Sequence, residues 1–79
     1  MAAIDVALSS FELDRFAEIL RDHQIEPSSY TVVCRRFTPT LGPTTEVVQI
    51  EGPTFGRYDR GSTWLDEFQR DVAARHYSS

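Results

Sequence analysis

A chain of 79 residues with net charge −4 and a single cysteine excludes a second domain, an internal disulfide and a global positive field that would draw nucleic acid or anionic lipid. One Cys and two distant His cannot supply the four close ligands of a structural zinc, and no apolar run approaches the ~20 residues of a membrane span. A hydrophobic fraction of 41% with 11% aromatics is that of a folded chain rather than a disordered one.

Ile4, Val6 and Leu8 alternate with Asp5 and Ala7, the period of a short strand with one buried face. Ser9-Ser10-Phe11-Glu12 has capping-box spacing, in which Glu12 reaches back to the Ser9 amide. Leu13, Phe16, Ala17 and Leu20 then recur at i, i+3, i+4 and i+7, one stripe of an amphipathic helix. Glu12, Asp14, Arg15, Glu18, Arg21 and Asp22 occupy much of the remaining surface. Pro27 forbids continuation, so the helix is expected to end near His23 or Gln24.

Tyr30 to Phe37 is a β-branched and aromatic run typical of a strand. The segment Thr38 to Pro43 holds two prolines and a glycine and reads as a turn, and Thr44 to Ile50 as the returning strand of a hairpin. Pairing Val32 with Ile50 and Cys34 with Val48 gathers Tyr30, Val32, Cys34, Val48 and Ile50 on one face, with Arg36 opposite Glu46. A slip of one residue pairs Arg35 with Glu46 instead, so this charge pair leaves the register open.

Gly52-Pro53, Gly56 and Gly61 make residues 51–61 irregular, with room for a short edge strand at 54–58. Thr63 is placed to cap a last helix whose apolar stripe is Trp64, Leu65, Phe68, Val72 and His76. Asp66–Arg70 and Asp71–Arg75 are i,i+4 pairs in the favourable orientation, each contributing about 0.2–0.5 kcal/mol. The order is β-α-β-β-α. It predicts one α+β domain over residues 1–79, a three-stranded sheet with that optional fourth edge strand, and both helices on one face. A right-handed crossover through the first helix would lay the first two strands parallel.

No GxSxG, HExxH, CxxC, P-loop or GxGxxG pattern occurs, so no catalytic role, cofactor or metal is expected. Cys34 would gain thiolate character from Arg35 or Arg36 if exposed; within a strand it reads as a small buried hydrophobe. His23 and His76 are assigned to helix ends, where a positive charge complements the carbonyl terminus. The acidic residues of the first helix read as a solvated face, with an acidic partner-binding stripe as the other reading.

Phe55-Gly56-Arg57-Tyr58-Asp59-Arg60-Gly61 interleaves aromatics with Arg, the residue types enriched at binding hot spots and nucleic-acid stacking platforms. Phe55 and Tyr58 either fill a thin core while Arg57 and Arg60 pair with acids, or they join Arg35, Phe37, Arg57 and Arg60 in a partner-binding surface. The outer sheet face is the second candidate. Thr31, Val33, Arg35, Phe37, Val47 and Gln49 fall there, and Val33, Phe37 and Val47 form an apolar patch with a polar rim, the mark of an interface. A homodimer through sheet faces or edges would bury that patch and thicken the core, unless the last helix or the 51–61 segment folds over it.

Together these features predict a non-catalytic protein-interaction module, or an accessory or inhibitor factor, binding itself or a foreign protein. The alternative is a nucleic-acid-binding accessory domain using Arg35, Arg36, Arg57, Tyr58 and Arg60, against which the acidity counts. The start Met1-Ala2-Ala3-Ile4-Asp5 lacks the pattern of a signal peptide, and a lone thiol suits a reducing cytoplasm. All eight basic residues are Arg, with neither Lys nor Asn, and a GC-rich bacterial or phage genome is the simplest cause.

Overall fold

The computed structural model describes residues 2–61 and 63–77. Strand β1 (Ala2–Val6) leads into helix α1 (Ser10–Asp22), which the capping box starts as its spacing predicts. The Glu12 amide donates to Ser9 Oγ at 3.2 Å, and the Ser9 amide donates to Glu12 Oε1 at 3.0 Å. A single 3-10 turn at Pro27–Ser29 passes the chain to β2 (Thr31–Thr38), β3 (Thr45–Glu51), β4 (Gly56–Asp59) and helix α2 (Trp64–Ala73). The edge strand therefore forms, displaced by one or two residues from 54–58.

The four strands form one sheet in the order β1-β2-β3-β4, each neighbour antiparallel. Register in the β2–β3 hairpin is the one that buries the apolar set: Val32 faces Ile50, Cys34 faces Val48 and Arg36 faces Glu46. Hydrophobic burial chose between the two registers that the charge pair left open.

β1 departs from expectation, because it pairs antiparallel with β2, Val6 opposite Cys34. The reason lies in where α1 begins and ends. Glu12 in its first turn meets Arg60, which also binds Glu46 near the Phe37 end of the hairpin. The chain re-enters the sheet at Thr31, opposite Glu51, at the other end. Helix α1 thus continues in the direction of β1 instead of reversing it, and the returning strand must be antiparallel. The handedness rule for parallel crossovers has no purchase here.

Both helices pack on one face, over a core of Phe16, Ile19, Leu20, Ile25, Tyr30, Cys34, Val48, Ile50, Tyr58, Trp64, Phe68, Val72 and Tyr77. Aromatic rings supply much of it. Phe16 stacks on Phe68 at 5.0 Å, and Tyr77 meets Phe68 and Tyr30 edge-on at 5.1 and 5.5 Å, geometries favoured by ring quadrupoles. The α1 stripe is rotated from the expected one: Ile19 is buried, whereas Leu13 is 44% exposed.

Both helices end in a Schellman motif with a non-glycine residue in the left-handed region. For α1, Gln24 has φ 62°, its amide donates to Arg21 O, and the Ile25 amide donates to Leu20 O. For α2, Arg75 has φ 65°, with Arg75 N–H to Val72 O and His76 N–H to Asp71 O. Helix α2 therefore ends before Arg75 and His76, so His76 is exposed outside the helix rather than on its apolar stripe, and Tyr77 enters the core in its place. Thr63 stands at the N-cap position of α2 without a side-chain capping bond.

Candidate functional site

Strand alternation divides the Arg/aromatic segment between two faces of the sheet. Gly56 and Tyr58 turn toward the helices and are buried, while Arg57 and Asp59 turn the other way and are exposed. Phe55 precedes the strand and is 56% exposed. Tyr58 is 8% exposed and lies in the core, against Phe68 and Trp64. Its hydroxyl donates to Asp71 Oδ2 at 2.6 Å and lies 2.7 Å from the Tyr77 hydroxyl. Since Tyr58 has one proton and gives it to the carboxylate, Tyr77 is the donor to Tyr58. Burial, the bond to Asp71 and the contact with Tyr77 all push the Tyr58 phenol up.

Arg60 is held on the helix side by two carboxylates. It donates through Nη2 to Glu12 Oε1 at 2.8 Å and through Nη1 to Glu46 Oε1 at 2.9 Å. Glu46 also binds Arg36 at 2.9 Å, and Glu12 Oε2 accepts from Trp64 Nε1 at 2.8 Å. The Arg60 bond, opposed by desolvation, holds the Glu12 carboxyl down at about 2. Bonds from Arg36 and then Arg60 lower Glu46. Glu12 thus belongs to a cross-element ionic network, not to the solvated face of α1. The one signal for that network in the sequence is the Arg36–Glu46 pair; nothing local marks the partnership of Glu12 with Arg60.

Arg36, Tyr58 and Arg60 consequently face the helices, and Arg35 and Arg57 face away. The five residues of the nucleic-acid reading do not share a surface. Cys34 is buried beneath the helices, and burial raises its thiol above the usual range, so it packs as a small hydrophobe.

Among the described residues no helix packs on the opposite sheet face. Its rows across the strands are Ala3, Phe37 and Thr45; then Asp5, Arg35, Val47 and Asp59; then Val33, Gln49 and Arg57. Val33 and Phe37 are half-buried. Val47, flanked by Arg35 and Asp59 in the middle of the sheet, is only 5% exposed. Arg35 lies across the surface, 3.4 Å from Asp5 Oδ1 and 3.4 Å from Gln49 Oε1. The three residues expected at an interface thus share this face, with Val47 already shielded within the sheet. Neither α2 nor the 51–61 segment covers them, because α2 packs beside α1 and the segment supplies β4.

Among the described residues no cluster of His, Cys, Asp and Glu is arranged to hold a metal ion, and no helix is long and apolar enough to cross a membrane. Comparison with protein-family models, curated proteins and solved structures yields no match.

Proposed function

We propose that this chain is a non-catalytic protein-interaction module that docks a partner protein on the open face of its sheet. The observation that carries the reading is the composition of that face. Val33 and Phe37 lie around the flattened Arg35 side chain, and Arg57, Asp59 and Asp5 stand at the margins. An apolar centre with a polar rim is the anatomy of a protein interface. The charges alternate in sign, which suits a protein surface better than the uniform negative charge of nucleic acid. Phe55 and Arg57, at the start of β4, extend the surface along the sheet edge. A lone buried thiol accords with a reducing cytoplasm, and an Arg-only basic set accords with a GC-rich bacterial or phage source.

The test is capture of a partner from the native cell extract by wild-type bait and by a Val33→Thr/Phe37→Ser double variant. The face variant should lose the captured protein while thermal unfolding shifts by less than that of a core substitution. An Asp14→Ala/Glu18→Ala variant on the far side of α1 should keep it. Capture that survives the face variant and fails with the α1 variant would move the site to the helices.

A further inference from the structure

The two edges of the sheet differ in a way that the backbone ladder makes explicit. In an antiparallel pair, alternate residues exchange the bonds. The Arg60 amide donates to Glu46 O at 2.9 Å, so Glu46, Val48 and Ile50 turn their peptide groups toward β4. Val47 and Gln49 therefore bond to Arg35 and Val33, and Cys34 and Arg36 to Val6 and Ile4. This alternation leaves the N–H and C=O of Ala3 and Asp5 pointing outward at the β1 edge, and those of Arg57 and Asp59 outward at the β4 edge.

The β4 edge is guarded. Arg57, Asp59, Glu67, Arg70 and Asp71 line the groove between β4 and α2, and charged side chains protect an edge from pairing. Among the described residues the β1 edge carries a single charged side chain, Asp5, and no helix stands beside it as α2 stands beside β4. Its sequence, Ala2-Ala3-Ile4-Asp5-Val6, contains no Lys or Pro, and its register to β2 runs without a bulge. Ile4 is 54% exposed on the helix side. Beside it, Val6, Leu8, Leu13 and Val32 line an apolar hollow of about 300 Å³.

We propose that β1 pairs antiparallel with β1 of a second copy, about a two-fold axis through Ile4. In this register Ala3 lies opposite the partner's Asp5, and Asp5 opposite the partner's Ala3. All the outward-pointing groups of both strands are then matched, and Ile4 meets the partner's Ile4 on the helix side. A register centred on Asp5 sets two carboxylates face to face. A slip of one residue would join the helix face of one sheet to the open face of the other.

Charge favours the same edge. Two chains of net charge −4 approach best where the local charge is balanced. Asp5 is the only ionic side chain between residues 2 and 8, and Arg35 stands 3.4 Å from it. Meeting through β4 would have to desolvate Arg57, Asp59, Glu67, Arg70 and Asp71 of both copies, a cost that opposes contact even where Arg57 meets Asp59. The contact area of a five-residue strand and its few apolar neighbours falls below the roughly 800 Å² per partner of a standard interface. The dimer is therefore weak and concentration-dependent. It joins the two open sheet faces into one continuous surface, but it does not depend on what that surface binds.

Sedimentation velocity from about 1 μM to about 1 mM, the range of weak association, tests the proposal. The wild type should shift from monomer to dimer. Ala3→Pro removes an outward donor while sparing the β1–β2 ladder, and Pro is tolerated at such edge positions. Ile4→Lys places a charge on an exposed side chain. Each variant should stay monomeric with unchanged circular dichroism, whereas Val33→Thr/Phe37→Ser should dimerise like the wild type. Should Ala3→Pro disturb folding, Ile4→Lys carries the test alone. A wild type that is monomeric throughout, or a dimer that survives Ile4→Lys, overturns it. A dimer lost only in the face variant would assign self-association to the open sheet face instead.

Discussion

Arg60 and Glu12, 48 residues apart in the chain, are joined by two hydrogen bonds, Nη2 to Oε1 at 2.8 Å and Nε to Oε2 at 3.3 Å. The pair fixes the first turn of α1 to the end of β4, and Trp64 at the start of α2 binds the same carboxylate. Three elements therefore meet at one side chain. Breaking a fully buried pair by removing one partner costs about 3–5 kcal/mol. Here the side chains keep 21% and 14% exposure, so Glu12→Gln should cost less, on the order of 2 kcal/mol. Arg60→Ala should cost more than Arg36→Ala, since it strips both Glu12 and Glu46, while Arg57→Ala should be nearly silent. Urea unfolding of the four variants gives the ranking, and equal losses for Arg57 and Arg60 would contradict it.

Acid should weaken the protein through the same carboxylates. Glu12 is depressed from 4.5 to about 2 by Arg60, and Glu46 is lowered by Arg36 and Arg60. A carboxyl whose folded pKa is depressed binds protons more readily in the unfolded chain. Its stabilisation is thus fully present above the ordinary 4.5 and is lost as pH falls from there toward about 2. The urea midpoint should drop across that interval, and in Glu12→Gln it should drop less steeply. Parallel acid limbs for the two proteins would mean that other groups carry the titration.

Gly56 is required by Tyr77. A Cβ on Gly56 would lie 1.6 Å from the Tyr77 hydroxyl oxygen and 2.8 Å from Cζ, and the ring is buried against Phe68 and Tyr30. Gly56→Ala should therefore destabilise by about 3 kcal/mol or more, at the upper end of overpacking costs. Tyr77→Phe alone should cost about 1 kcal/mol for the hydrogen bond to Tyr58. Combined with Gly56→Ala it should recover part of the loss, because the nearest atom is gone. Strict additivity in this double-mutant cycle would argue against the contact.

Gln24 and Arg75 occupy left-handed positions that glycine adopts without steric cost. Gln24→Gly and Arg75→Gly should each raise stability by roughly 0.5–1 kcal/mol, since relief of side-chain strain outweighs the added freedom of the unfolded chain. Thermal midpoints should rise by a few degrees, about 4–8 °C per kcal/mol in a domain of this size. A fall would show that the side chains contribute contacts exceeding the backbone strain.

Much of this fold was legible where short-range chemistry decides it. The capping box at Ser9 and Glu12, the stop before Pro27 and the Tyr30–Ile50 hairpin each follow from residues within a few positions of one another. Apolar alternation set Cys34 and Val48 on one face and ruled out a slip of one residue, but slips of two keep the same faces, so the pairing of Cys34 with Val48 was fixed only in the packed structure. The helix ends were less legible: no glycine marks Gln24 or Arg75, so the α2 stripe reads on through His76 when the chain turns and buries Tyr77 instead.

By itself, the sequence determined the element types, the α+β class and the two faces of the hairpin, since periodicity and capping act within a turn or a strand. Only the tertiary structure decided the antiparallel place of β1, the division of the 55–60 segment between two faces, and the Glu12–Arg60–Glu46 network. Those depend on where α1 begins and ends over the sheet, and on side chains that meet across tens of residues. No local pattern encodes such contacts, because burial and charge pairing are settled only when the elements pack.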